Sequence, residues 1–240
     1  MKSLHLQLAL PAENLAIDEV LLDQCEAGGG GETLVLWEPR GTFIVVGYAN
    51  KVAMEVNVAA CEKKGVPIFR RCSGGDTVVQ MPGGLNYSLI LEISETGPTR
   101  NISAANQYIM GKNREAIAGL VPAAEVSVRG HTDLCLGDVK FAGNSQRRRK
   151  KFLLFHGTLL LNCDLNLISE LLLMPSLEPD YRASRPHADF VTNLNLPAAP
   201  VMAALAQAWG AEDQLEQPPL EDISKLVREK YSMREWNFKF

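Results

Sequence analysis

Apolar residues recur at helical spacing between Pro11 and Glu26, where Leu15, Val20, Leu22 and their neighbours repeat, and the run Gly28 to Gly31 ends the pattern abruptly. A helix is predicted there. Leu34 to Trp37 and Phe43 to Val46 are short β-prone runs on either side of a turn at Pro39, Arg40 and Gly41. Asn57 predicts an N-cap for a short helix over Val58 to Lys64, which Gly65 and Pro67 stop. A strand over Ile68 to Arg71 follows. Beyond a glycine loop, Leu85 to Ile93 is strand-like, Ser103 to Leu120 helical, and Glu125 to Val128 β-prone again.

From Leu134 to Leu161, two apolar, β-prone runs surround the basic tip Arg147 to Lys151, the pattern of a long antiparallel hairpin with buried ends and a solvated turn. Such a tip either keeps charge wet or docks an acidic partner, and its composition fits both. A helix near Leu165 to Leu173, a proline-punctuated loop, and helices near Val201 to Trp209 and Leu220 to Lys230 complete the chain. The expected fold is an α+β domain with a largely antiparallel sheet. No repeat or long linker divides the chain, so residues 1–240 are expected to form one domain.

Composition narrows the function classes. The net charge of -4 supplies no general attraction to nucleic acid or anionic membrane. No stretch approaches the roughly 20 apolar residues that cross a bilayer, and Met1 to Leu10 reads as neither a secretory signal nor a transit peptide. Cys25, Cys61, Cys72, Cys135 and Cys163 are scattered, without the spacing of a zinc site. Reduced thiols and a cytoplasmic location are expected, with no metal held by protein ligands.

Three segments carry candidate chemistry. In Arg70-Arg71-Cys72-Ser73-Gly74-Gly75-Asp76-Thr77, small residues after a strand let backbone N–H groups approach an anion, and two arginines offer bidentate contacts. A plain turn would use the same glycines. In Gly137 to Asn144, period-2 alternation places Lys140 on one face with Ala142 and Asn144, and Val139 and Phe141 on the other. Lys140 then either enters a cleft or is an ordinary solvated lysine. His156, inside the apolar run Phe155 to Thr158, fits a hydrogen-bonded core histidine as well as a site residue.

Taken in order, RRCSGG, GGLNYSLI, RGHTDL, KFAGNSQRR, HGTLLL and FVTNL resemble the catalytic domain of the lipoate protein ligases, within the biotin and lipoate ligase family. The resemblance implies an α+β core related to class II aminoacyl-tRNA synthetases and biotin ligases, with a mixed, mainly antiparallel sheet flanked by helices. It implies an enzyme that uses ATP and Mg2+ to convert lipoate, or octanoate, to an acyl-AMP and passes the acyl group to a carrier lysine. Residue by residue, it assigns Arg70, Arg71, Gly74, Gly75, Thr77 and Val78 to the loop around acyl chain and adenylate, Asp133 to the nucleotide and Lys140 to the acyl carboxyl. Ser73, Asp76, Gln80, Asn86, Gly143, His156 and Gly157 complete the substrate- and ATP-binding positions it implies. Lys140 would be the catalytic cation, drawing carboxylate and phosphate together despite their repulsion. The implied partner is an apo lipoyl carrier domain, of a 2-oxoacid dehydrogenase acyltransferase subunit or a glycine cleavage H protein. No nucleic acid or membrane is implied.

Two positions depart from the family pattern. Asp76 stands where a third glycine is usual, and Gln80 where a histidine is usual, which exchanges a titratable ring for an amide. Only about 30 residues follow Gly210, too few for the small accessory domain of many lipoate ligases, so a separate subunit is an alternative source. Two other readings remain at this level: a transferase that carries octanoyl or lipoyl groups on a cysteine thioester without ATP, and a non-catalytic acyl-binding or scaffold protein. The regions where such transferases place their nucleophile, Ala123 to Asp133 and Tyr181 to Phe190, contain no cysteine.

Overall fold

The computed structural model describes residues 1–175 and 177–240. In chain order the elements are β1 (Lys2–His5), α1 (Pro11–Glu26), β2 (Thr33–Trp37), β3 (Phe43–Val46), α2 (Val52–Glu55), α3 (Val58–Lys64), β4 (Ile68–Arg70), β5 (Val78–Gln80) and β6 (Gly84–Glu92). Then come α4 (Ile102–Ala118), β7 (Val126–Arg129), β8 (Asp133–Leu136), β9 (Val139–Arg148), β10 (Phe152–Leu160), α5 (Asn166–Leu171), α6 (His187–Phe190), α7 (Ala198–Trp209), β11 (Asp213–Gln214), α8 (Leu220–Leu226) and α9 (Arg234–Asn237). The main sheet runs β11-β1-β2-β6-β10-β9-β8-β7, and a small sheet runs β4-β3-β5. β1 pairs parallel to both its neighbours, while every other pairing in the main sheet is antiparallel. The fold is the expected α+β arrangement, a mixed, mainly antiparallel sheet flanked by helices.

Side-chain alternation divides the main sheet into two buried faces. Leu34 and Leu36 of β2, Leu85, Tyr87 and Leu89 of β6, and Leu153, Phe155 and Leu159 of β10 pack against α4 and α7. Val35, Ile90 and Leu154 point the other way, toward α1, α8 and the small sheet. On that second face the alternate positions change from apolar to polar along the strands: Ile90 gives way to Ser88 and Asn86, and Leu154 to His156 and Thr158. Burying apolar side chains stabilises the sheet, so a polar window in a covered face marks where a cavity, not packing, lies above it.

The long hairpin differs from its expected form in two ways. A left-handed Gly137 splits its first run into β8 and β9. Register then shifts within that pair: Leu134 opposes Ala142 while Cys135 opposes Lys140, leaving Phe141 as an extra residue in a β-bulge. Phe141 and Ala142 therefore both enter the core beneath α4. The bulge reverses the alternation after it, so Lys140 shares a face with Gly143 and Ser145, and not with Ala142 and Asn144. Asn144 instead faces the core, where the Tyr87 hydroxyl donates to its amide oxygen at 2.5 Å.

The basic tip is held by its own chain. Glu26, at the end of α1, accepts the backbone N–H groups of Lys150, Lys151 and Phe152, and these bonds, that of Lys151 foremost, lower its carboxyl pKa. Arg149 donates to Asp23, Arg148 to the Thr99 carbonyl and Arg147 to the Cys72 carbonyl. The C-terminal helix ends earlier than expected: after α8 the chain makes a π turn over Val227–Tyr231 before α9. No described helix is long and apolar enough to cross a membrane.

Candidate active site

The polar window forms the floor of a cavity of about 730 Å3. Two cross-strand rows make it: Trp37, Asn86, Thr158 and Gly143, then Ser88, His156 and Ser145. Leu15 and Asp18 of α1, Val45 of β3 and Val78 of β5 supply one wall. The proline-punctuated loop supplies another through Leu177, Pro179 and Tyr181. One end is thus lined by apolar side chains and the other by hydrogen-bonding groups, the composition of a site for a small amphipathic molecule.

The glycine loop is shaped by the two arginines that precede it. Arg70 is fully buried, and its guanidinium donates to the carbonyls of Gly47, Tyr48, Asn50, Trp236 and Asn237. It joins the turn after β3 to α9 and does not line the cavity. Arg71 donates to the Ser73 hydroxyl at 3.0 Å and to the carbonyls of Gly74 and Asp76. Burial lowers its pKa to about 10. Both guanidiniums are thus engaged by the protein's own oxygens, Arg70 away from the cavity and Arg71 at its border. Gly75 needs its lack of a side chain, with φ at +81° and the Ser145 hydroxyl packed against it. Asp76 has no such need, because its φ is not positive, so the departure from glycine leaves the turn unstrained.

At the polar end, Lys140 Nζ lies 2.8 Å from Asp133 Oδ1, and the Tyr181 hydroxyl donates to Asp133 Oδ2 at 2.7 Å. Burial, with Asp133 beside it, pushes the Tyr181 phenol pKa up. The bulge aims this lysine, and the FVTNL segment braces it: Thr192 donates its N–H to the Lys140 carbonyl, and Val191 bridges to Lys140. Alongside, Gln80, Asn86 and Thr158 form a closed side-chain network with bonds of 2.6 to 2.9 Å. Gln80 therefore supplies hydrogen bonds and no proton shuttle.

A further chain was missed at the sequence level. His156 Nε2 lies 2.6 Å from the Ser73 hydroxyl, and its Nδ1 lies 2.6 Å from Asp18 Oδ2. With Nδ1–H donating to the carboxylate, Nε2 accepts from Ser73. The other carboxylate oxygen, Asp18 Oδ1, is buried and has no hydrogen-bond partner among the described residues. Its only sequence signal was an acidic pair, Asp18-Glu19, inside an apolar helix; Tyr181 had none beyond its place before FVTNL.

The cavity thus brings together Arg71, Gly75, Asp76, Val78, Gln80, Asn86, Asp133, Lys140, Gly143, His156 and Gly157. Arg70, Ser73, Gly74 and Thr77 do not line it. No described cysteine lines it. All five are buried free thiols with raised pKa values, Cys72 and Cys163 to about 11, chiefly through desolvation.

Residues 10–209 match the family described as the lipoyl protein ligase A/B catalytic domain. A probable lipoate-protein ligase A of Mycoplasma pneumoniae is 27% identical over 95% of this chain and 68% of its own. An octanoyltransferase LipM of Carboxydothermus hydrogenoformans is 26% identical over 95% of both. Among solved structures, a bi-partite lipoate protein ligase from Thermoplasma acidophilum has the same fold, with a TM-score of 0.79, 20% identity and coverage of 99% and 95%. A lipoate-protein ligase A bound with ATP superposes with a TM-score of 0.78 at 22% identity over 99% and 98%.

Proposed function

Because the chain belongs to the lipoyl protein ligase A/B catalytic domain family, we propose that it works by the ATP-dependent route: lipoate or octanoate becomes an acyl-AMP, and the acyl group then passes to a lysine of a lipoyl carrier domain. The family includes octanoyltransferases as well as ligases, and the two chemistries place different demands on one cavity. A thioester route needs an accessible, activated thiol. The observation that carries the ligase reading is that no described cysteine reaches the cavity and burial raises every thiol pKa.

The remaining residues suit adenylation. The acyl chain would lie along Leu15, Trp37, Val45 and Val78, with its carboxylate toward Lys140. The ammonium would screen carboxylate from phosphate, and the N–H groups of the glycine loop would meet the phosphate. Among the described residues no cluster of three metal ligands exists, and Asp76, Glu178 and Asp180 are exposed carboxylates at the cavity, so the site fits a magnesium ion carried mainly by the nucleotide, with Asp76 on the glycine loop available to it. That ion would neutralise phosphate charge. Lipoate-dependent exchange of pyrophosphate into ATP tests the reading. Its absence, with cysteine-dependent transfer from an octanoyl carrier protein, would establish the transferase instead.

A further inference from the structure

Forming the amide requires a proton to leave the attacking amine, and the cavity offers few groups able to take it. Asp133 has both oxygens engaged, by Lys140 and by Tyr181. His156 has both ring nitrogens engaged, by Asp18 and by Ser73. Glu178, Asp180, Asp76 and His131 are exposed at the rim. Asp18 differs from all of these. It lines the cavity, is 4% exposed, and keeps one carboxylate oxygen without a protein partner. A buried acceptor left unsatisfied is costly, and the cost is removed when a bound molecule brings a donor.

Position agrees with this need. Lys140 lies against Gly143, and Asp18 is held over His156. Gly143 pairs with Thr158, two residues from His156, so the two supports are diagonal cross-strand neighbours, about 7–8 Å apart for such pairs. Lys140 and Asp18 thus stand over neighbouring strands and line the same cavity.

We propose that Asp18 is the catalytic base of the transfer step, accepting the proton of the carrier lysine through Oδ1, with His156 and Ser73 fixing its orientation. The proposal rests on the reading above only in taking a lysine amine as the acceptor. The neutral amine nitrogen forms the new C–N bond. The bond from carbonyl carbon to the leaving oxygen breaks, its electron pair departs with AMP, and the amine proton passes to Asp18 Oδ1. Nδ1–H of His156 holds the other oxygen throughout, and Ser73 fixes the ring from Nε2. Asp18→Asn keeps the shape and removes the basicity.

The test offers preformed lipoyl-AMP to the whole protein with two acceptors, an apo lipoyl domain and hydroxylamine, which is already neutral at pH 7 and needs less help in losing a proton. Asp18→Asn should slow transfer to the lipoyl domain by about 10²-fold, the scale of general base catalysis, while hydroxamate formation falls far less. Asp18→Glu should recover part of the loss. Equal loss with both acceptors, or unchanged transfer to the domain, overturns the role. If the wild-type protein ignores lipoyl-AMP, the ligase reading falls, and the same acceptors with an octanoyl carrier-protein thioester decide the role of Asp18.

Discussion

The side chain of Lys140 lies across Gly143, so that a methyl group on that glycine would stand 2.9 Å from both Cε and Nζ. The obstructing atoms are the far end of a flexible side chain, which moves aside more cheaply than backbone. Gly143→Ala should therefore leave thermal stability nearly unchanged while displacing the ammonium. Acyl-adenylate formation should fall by about 10²-fold, as when one preorganised transition-state contact is lost. Lys140→Ala should match it. Near-normal pyrophosphate exchange in both variants would remove Lys140 from the mechanism.

Arg70 predicts the opposite division of effects. Its guanidinium serves five carbonyls in a fully buried position, and lysine cannot reproduce that planar set of donors. Arg70→Lys should cost about 3 kcal/mol or more, because each unsatisfied buried carbonyl costs roughly 1–3 kcal/mol. For a chain of this size that is a fall in Tm of roughly 6–12 °C. A melting curve unchanged from wild type would show that the carbonyls find other donors.

Much of this architecture was legible in the chain. Asn57 and Gly65 cap α3 as expected, with the Ala60 N–H donating to Asn57 Oδ1 and Gly65 in a left-handed conformation. The order of the motifs foretold the α+β fold. What could not be read is what depends on pairing between distant segments. The bulge at Phe141 reverses a face and is visible only in the register of β8 against β9. The arginines of the glycine loop looked like ligand contacts because their type suits anions, whereas Arg70 meets carbonyls brought in by the turn after β3 and by α9, and Arg71 meets those of the loop that follows it. Asp18 drew no notice within the helical pattern, and its role emerges only where β10 places His156 beneath it. Short β1 and β5 escaped notice because Lys2–His5 holds a single apolar residue and Val78–Gln80 only two, without the continuous apolar run that made β3 legible.

The thiols give a pH prediction of definite sign. Burial raises Cys72 from 9.0 to about 11 in the folded protein, so its neutral form is favoured by folding. That stability is complete below the unfolded value and is lost as pH rises from about 9 toward 11, by the linkage between proton binding and folding. Above pH 10 Arg71 acts in the other direction, because its folded pKa is lowered to about 10. The clean window is therefore pH 9 to 10. Within it, urea midpoints of the wild-type protein should fall more steeply than those of Cys72→Ala. At pH 7 iodoacetamide should leave ligase activity intact, and rapid inactivation would contradict the burial of these thiols.

Asp76 stands at the mouth of the glycine loop, where a carboxylate beside phosphates is tolerable only if a cation lies between them or the side chain turns outward. Backbone strain plays no part, since its φ is not positive and glycine or asparagine fits equally well. If the carboxylate helps hold nucleotide magnesium, Asp76→Asn should raise the Mg2+ concentration needed for half-maximal pyrophosphate exchange several-fold, with little change in the KM for lipoate. If it merely repels the nucleotide, the same substitution should lower the KM for ATP and leave the Mg2+ requirement alone. The magnesium role predicts the first result. Titrating Mg2+ at fixed ATP, then ATP at saturating Mg2+, separates the two, because only a metal contact makes the variant's defect disappear at high metal.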